Sequence, residues 1–412
     1  MTDRRRLASN AGYLAALTAS NYLLGLLIFP LLSRVLSLDA FGVLGFSMSF
    51  VVIFQVVVEY GFMITATAQI AASRTEPDVV GRVVATTMLA KFGLVLVTAV
   101  AFACTAFVVP MVRDHLLVVS LFLISAVTTA IIPDFYFRGV ERMRSIALRA
   151  VGSKILALVL ILILVRGDEH LALVPASLAA GNLLASALGF VAIRRDGVRL
   201  PSPRIRDALT SLRAGAAFFG SRVAASVNQA AGVFVLGLVY APASAAMAQF
   251  AGASRIASAG ELAVIPISDS IYPHMVRTRD YRLFWRVYLG GLALWFLGCF
   301  GVFLWAEDIC AIILGEPFAP AGELLRILAV GVFIAYSSNL FGYAALTPLG
   351  LARHANYALF VGAGVTLCSY SALSIMGVVQ PATVCTVVVV SQAAIFLYRF
   401  GVFLVHRSRW QG

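Results

Sequence analysis

Several ionisable residues stand inside long apolar runs, where a charge is costly and a functional role is the default explanation. Lys91, Lys154, Arg222 and Arg255 are the deep cations, and Glu59, Glu261 and Asp269 are the acids. Cations at membrane depth suit an anionic ligand: arginine grips a phosphate through two parallel hydrogen bonds, lysine as a point charge. The acids suit ion coupling, by exchanging H+ or binding Na+. Spacing groups some of these residues. Arg222, Ser226 and Gln229 fall at i, i+4 and i+7, one face of a helix. Thr87, Lys91 and Thr98 make a second stripe, Thr18, Asn21 and Gly25 a third, and Arg255 and Ser258 share a fourth. The stripes predict a solvated cavity with Asn21, Ser226 and Gln229 in its polar lining. Polar glue between packed helices is the competing reading, against which arginine and lysine are poor neutral glue.

Depth sorts the charges. Lys91, Lys154 and Arg222 sit about 12 Å inside their runs by helical rise. Snorkelling to an interface and lining a pocket both fit them. Arg255 is deeper, which favours a cavity. Arg34, Arg326 and Arg399 lie near run ends and read as snorkelling. Glu59 and Asp269 lie near cytoplasmic ends, in solvated or salt-bridged positions. Glu261 is deeper and about 240° around its helix from Arg255, so it either pairs with a cation on a neighbouring helix or exchanges a proton.

These residues need membrane helices to hold them. The 412-residue chain is 61% hydrophobic and 12% charged, with mean hydropathy +0.95. Its apolar runs are continuous rather than alternating, which argues against an outer-membrane barrel. Twelve spans are predicted, at 11–36, 41–65, 82–109, 115–137, 146–165, 171–193, 214–240, 246–272, 284–306, 322–347, 355–376 and 379–405. The stretch 194–213 divides them six and six. It carries six Arg, two Asp and two Pro and cannot lie in hydrocarbon. The expected organisation is an N-terminal six-helix lobe (1–193), a basic cytoplasmic connector (194–213) and a C-terminal six-helix lobe (214–412). Segments on the N-terminal side of the membrane hold 22 Lys and Arg, and those opposite hold three, Arg34, Arg113 and Arg166. Both termini are therefore expected in the cytoplasm, in the cell inner (plasma) membrane.

The net charge of +12 lies between apolar runs, so it reads as a topology determinant, with no nucleic acid as partner. The run at 11–36 is too long for a cleaved signal peptide and is read as a retained helix. The five cysteines show no metal-like spacing, and no disulfide or metal site is implied. A P-loop is absent, and no segment is long enough for a nucleotide-binding domain, so hydrolysis-driven transport within this chain is excluded. The longest external loop, near 306–321, is too short for an external catalytic domain, which argues against an enzyme such as a polymerase or glycosyltransferase. No cofactor is expected beyond a coupling ion. Pro30, Pro133, Pro175 and Pro266 interrupt the first, fourth, sixth and eighth spans, as hinges or static kinks.

Five stretches resemble the Wzx-type polysaccharide/O-antigen flippases of the multidrug/oligosaccharidyl-lipid/polysaccharide (MOP) exporter superfamily, which also holds the MATE and MurJ-type exporters. Phe29-Pro30-Leu31-Leu32-Ser33-Arg34-Val35-Leu36, running on to Phe41-Gly42, is similar to the passage closing that family's first helix. Glu59-Tyr60-Gly61-Phe62 with Thr65-Ala66-Thr67 is similar to a second, and Pro133-Asp134-Phe135-Tyr136-Phe137-Arg138-Gly139-Val140-Glu141-Arg142-Met143 to a third. Pro266 with Ile271-Tyr272-Pro273, and Ile313-Leu314-Gly315 with Leu325-Arg326-Ile327-Leu328, complete the set. Met63, Ala68 and Arg138 depart from the pattern, where the family has Asn, Arg and Gln. The resemblance implies an all-α membrane protein of two six-helix lobes in a MATE/MurJ-like V. It implies alternating access that moves an isoprenoid-diphosphate-linked oligosaccharide, of the undecaprenyl diphosphate type, to the outer leaflet. Polysaccharide polymerase and assembly proteins are implied as partners. Lys91, Lys154, Arg222 and Arg255 would meet the diphosphate, and Tyr22, Phe135 and Tyr136 would stack on sugars or pack in the core. A cation-coupled multidrug-type exporter is the alternative, and it would favour deep acids in the first lobe, where this chain has Lys91 and Lys154.

Overall fold

A computed structural model describes residues 27–406 and is helical throughout. The first described helix, α1, covers 27–35. There follow α2 (Leu38–Glu59), α3 (Phe62–Ala72), α4 (Pro77–Val108), α5 (Pro110–Asp114), α6 (Leu116–Ile131), α7 (Asp134–Gly139), α8 (Met143–Leu164), α9 (Leu173–Arg195) and α10 (Ile205–Val239). The chain continues with α11 (Ala245–Leu262), α12 (Ile265–Thr278), α13 (Tyr281–Leu304), α14 (Ala306–Leu314), α15 (Ala321–Leu340), α16 (Ala352–Met376) and α17 (Pro381–His406). Helices prevail because a backbone in hydrocarbon must satisfy its own polar groups. Local signals set several starts. Ser244 and Asp280 cap α11 and α13 by accepting the amides of Met247 and Leu283. Prolines open α4, α5 and α12, where the missing N–H costs no intrahelical bond.

Ten helical stretches among the described residues are long and apolar enough to cross a membrane. Two of the twelve expected spans are not among them. The first, expected at 11–36, falls mostly outside the described residues, and α1 covers its described part. The eighth, expected at 246–272, is broken into α11 and α12, with Pro266 in the first turn of α12. A second unforeseen break divides α2 from α3.

The chain gathers into two compact units. Among the described residues, unit 1 comprises 27–28 and 47–223, and unit 2 comprises 29–46 and 224–406. In unit 1, α9 packs against α6 and α8. Its core holds Phe135, Tyr136 and Phe137 of α7 with Ile70, Val84, Ile146 and Ile193. In unit 2, α15 is the central helix, packed by α11, α13, α14 and α17. Its buried Tyr336, and Phe341 just after its end, join Phe284, Tyr288 and Phe403 in an aromatic core. Helix α13 instead turns Leu294, Leu297 and Phe300 outward, as a lipid-facing helix does. At Gly42 a side chain would meet the Pro242 carbonyl 2.3 Å away, so the Phe41-Gly42 passage is a close-approach site of unit 2.

Candidate functional site

In unit 1, the break between α2 and α3 aims Glu59. Tyr60 has φ of 51° and Gly61 of 138°, both left-handed, so the helix stops and the chain turns. Gly61 takes this conformation at little steric cost, whereas Tyr60 must be held. Its ring stacks on Phe219 of α10 with centroids 4.5 Å apart, and Gly215 leaves room beside it. Glu59, at the last position of α2, accepts a hydrogen bond from Gln55 Nε2 at 2.9 Å and an ion pair from Arg222 of α10. The Arg222 side chain is 35% exposed and that of Glu59 27%, so the pair is not sealed inside the helix packing. The Nε of Arg222 is buried without a partner. That buried Nε is not open to a ligand, but a guanidinium has five N–H donors, more than one carboxylate uses, and its exposed ones can take a second anion.

Lys91 of α4 is buried, with Thr87 and Thr98 of its stripe. Its ammonium donates to the Ala130 carbonyl at the end of α6 and lies 5.3 Å from the centre of the Phe135 ring. Lys154 is half-buried on α8. The 133–143 passage is knit to its neighbours by charges that sequence reasoning missed. Asp134 pairs at 3.0 Å with Arg149 of α8, whose side chain is only 6% exposed and whose guanidinium lies 3.9 Å from the Phe137 ring centre. From the sequence Arg149 reads only as one of the loop charges of the 138–149 segment. Asp196, after α9, accepts from the Tyr136 hydroxyl at 2.7 Å and from Arg142. That hydrogen bond raises the pKa of Arg142 above the ordinary guanidinium value. Thr67 of α3 donates to the Phe135 carbonyl at 3.2 Å, closing the network.

In unit 2, Arg255 of α11 lies over the Phe29 ring, 4.5 Å from its centre, a cation–π contact. Glu261, near the end of α11, accepts from Gln392 Nε2 of α17 at 3.2 Å. Among the described residues no cation pairs with Glu261, so the expected partner cation on a neighbouring helix is not found there. Asp269 is exposed on α12. Ser226 is buried and Gln229 exposed, and the polar node on their helix is Asn228. Asn228 accepts from Thr366 and Ser391 and donates to the Leu359 carbonyl at 3.2 Å. Asn21, with Thr18, Tyr22 and Gly25, lies outside the described residues. Arg399 corrects the snorkelling expectation. It is 5% exposed and donates to the Ser338 and Ala355 carbonyls, against the wide helical turn Phe341–Ala345. Arg34 donates to the Ile312 carbonyl, and Arg326 pairs with Glu307. Among the described residues no cluster of His, Cys, Asp or Glu is placed to hold a metal. The candidate residues are thus the Glu59–Arg222 pair with Lys91 within unit 1 and, taken separately, Arg255 and Glu261 within unit 2.

A sequence model of the polysaccharide biosynthesis protein family matches residues 7–279, most of the chain. The chain belongs to that family. Two curated proteins of similar length are similar to this member, both named "Putative O-antigen transporter". The one from Escherichia coli (strain K12) is 28% identical over 348 residues, 83% of each chain. The one from Shigella dysenteriae is 21% identical over 355 residues, 84% of this chain and 88% of its own. Solved structures share the fold. The lipid II flippase MurJ in an inward closed conformation superposes with a TM-score of 0.71 at 11% identity, over 95% of this chain and 87% of its own. An inward-facing MATE transporter of the MOP superfamily gives 0.63 at 14% identity, over 96% and 94%. The chain is thus an all-α membrane protein of the polysaccharide biosynthesis family, on the fold of the MATE and MurJ structures.

Proposed function

We propose that this family member is a flippase, not an enzyme. It moves an isoprenoid-diphosphate-linked oligosaccharide repeat unit from the cytoplasmic to the outer leaflet of the inner membrane by alternating access, for exopolysaccharide or O-antigen synthesis. The observation that carries the reading is Arg222. It is a partly exposed guanidinium on a membrane helix, held by Glu59 and with more N–H donors than one carboxylate uses, in a family of polysaccharide biosynthesis proteins. A diphosphate loses its hydration when it enters a membrane protein, and an arginine replaces that hydration with charge-assisted hydrogen bonds. Lys91, Lys154 and Arg255 are the further cations for this task. The prenyl tail stays in lipid while the sugar crosses. Glu261 carries the ion coupling: a carboxylate whose hydrogen-bond partner is the neutral Gln392 takes H+ or Na+ as its counter-ion.

Loop charge supports cytoplasmic termini and a cytoplasmic 194–213 connector between an N-terminal and a C-terminal lobe. Polymerase and assembly proteins of polysaccharide synthesis are the partners this function needs. The multidrug-type reading requires an acid in the first lobe that is open to a cation. Away from the helix-opening acids Asp78, Asp168, Glu169 and Asp207, the acids in the described spans of unit 1 are Glu59 and Asp134, and each is engaged by an arginine. The test is deletion in the native host. The expected result is loss of surface polysaccharide, with repeat units accumulating on the cytoplasmic leaflet. Surface polymer persisting in a strain without a paralogue overturns the proposal.

A further inference from the structure

The connector between α9 and α10 is docked rather than slack. Val198 is buried in the core of unit 1 among Val80, Val84 and Ile193. Gly81 of α4 lies so close to the connector that a side chain there would sit 2.0 Å from the Arg199 carbonyl. Yet the docked segment turns both apolar and basic groups outward. Leu200 is 39% exposed, Ile205 74% and Leu209 53%. Arg194, Arg195, Arg199, Arg204, Arg206 and Arg213 are exposed, and none pairs with a carboxylate among the described residues.

Below the connector runs an apolar groove of about 480 Å³. Its walls include Ala85, Met88 and Phe92 of α4 and Phe190 of α9, and Leu200 and Pro201 border it from the connector. Lys91 also borders it, with its ammonium engaged by the Ala130 carbonyl. The volume falls in the range of small-molecule sites. Phe92 is 60% exposed and Leu96 of the same helix 54%, so the groove lies beside a lipid-facing surface.

We propose that the connector and this groove bind an anionic phospholipid of the cytoplasmic leaflet. The head-group phosphate sits on the connector arginines, with Arg199 and Arg204 flanking Leu200 and Pro201. One acyl chain lies in the groove along the Ala85–Met88–Phe92 face. The proposal rests on the cytoplasmic placement of the connector given above. Unpaired arginines match an anionic head group, and the interleaved Leu200, Ile205 and Leu209 match the acyl boundary of a leaflet. An acidic protein would satisfy the arginines but leave those three apolar side chains and the groove without a partner.

The test is competition binding to the purified full-length chain in a neutral detergent. Dioleoyl phosphatidylglycerol and dioleoyl phosphatidylcholine are offered together, and retained lipid is counted by native mass spectrometry. The expected result is a preference for phosphatidylglycerol that falls at least tenfold in the R199Q/R204Q/R206Q variant and is halved or worse in Leu200→Gln, with unfolding temperatures in phosphatidylcholine unchanged. Equal retention of the two lipids, or an unaltered preference in the triple variant, overturns it. So does displacement of phosphatidylglycerol by millimolar inorganic phosphate, which would mark a free-anion site. Binding of polyglutamate without any lipid preference would mark a protein-docking surface and also overturn it. The readout needs no transport, so a loss of flipping with lipid preference retained counts against the flippase reading alone.

Discussion

Substitutions at Glu59 and Arg222 should move diphosphate affinity in opposite directions. With side chains 27% and 35% exposed, the pair is a partly solvated ion pair. Such pairs contribute about 0.2–1 kcal/mol. A guanidinium–phosphate hydrogen bond contributes about 1.5–3 kcal/mol. At about 1.4 kcal/mol per tenfold in affinity, Arg222→Gln should weaken binding roughly 10- to 100-fold. Glu59→Gln removes the competing carboxylate and should tighten binding by up to about fivefold. Arg222→Lys should fall between wild type and Gln, because the ammonium keeps the charge and loses the fork. In the double variant the gain from Glu59→Gln should vanish. The assay is the Kd for undecaprenyl diphosphate of the full-length chain in nanodiscs, with unfolding temperature recorded alongside. If Glu59→Gln weakens binding as much as Arg222→Gln does, the pair is a brace between α2 and α10 and the phosphate-ligand argument is refuted.

Three further outcomes are expected. Asp134→Ala leaves Arg149 buried without its carboxylate and should lower stability by about 3 kcal/mol; the D134L/R149M variant should recover most of that loss in a thermal unfolding scan. Gly81→Leu forces the connector off α4, because even a methyl group would lie 2.0 Å from the Arg199 carbonyl, and should cost about 1–3 kcal/mol in the same scan. In a cysteine-free background, Glu169→Cys should react with a membrane-impermeant maleimide on intact cells and Ser202→Cys should react only after lysis, as the loop charges require.

The spans were legible in the sequence because a run of about twenty apolar residues has few alternatives to crossing a bilayer. The interruptions were less so. The α2–α3 break depends on a left-handed Tyr60, and the ring that holds it, Phe219, is supplied by a distant helix. Only Gly61 hinted at it. Pro266 marked the divided eighth span, but a proline in a membrane helix can equally leave a kink.

Depth along a helix also proved to be half of the information a charge needs. Arg399 is seven residues from the end of α17, a distance that fits snorkelling, yet its side faces Ser338 and Ala355 in the interior of unit 2. Arg149 was lost in a count of loop charges although α8 buries it against Asp134 and Phe137. Glu59 and Arg222 were each singled out, but nothing in a single sequence pairs residues 163 positions apart. The connector shows the same limit. Its arginines revealed its polarity, and nothing in its composition revealed that Val198 belongs to a core.

A cationic site built around Arg222 is proposed to carry a lipid-linked diphosphate across the membrane. Proteoliposomes holding the purified chain and a fluorescent undecaprenyl-diphosphate-linked oligosaccharide test it most directly, with outward movement read by accessibility to an added glycosidase. Wild-type protein should expose the sugar far faster than empty vesicles, and Arg222→Gln should slow that exposure at least tenfold without loss of folded protein. Exposure at the empty-vesicle rate, or an Arg222→Gln variant as fast as wild type, would contradict the account.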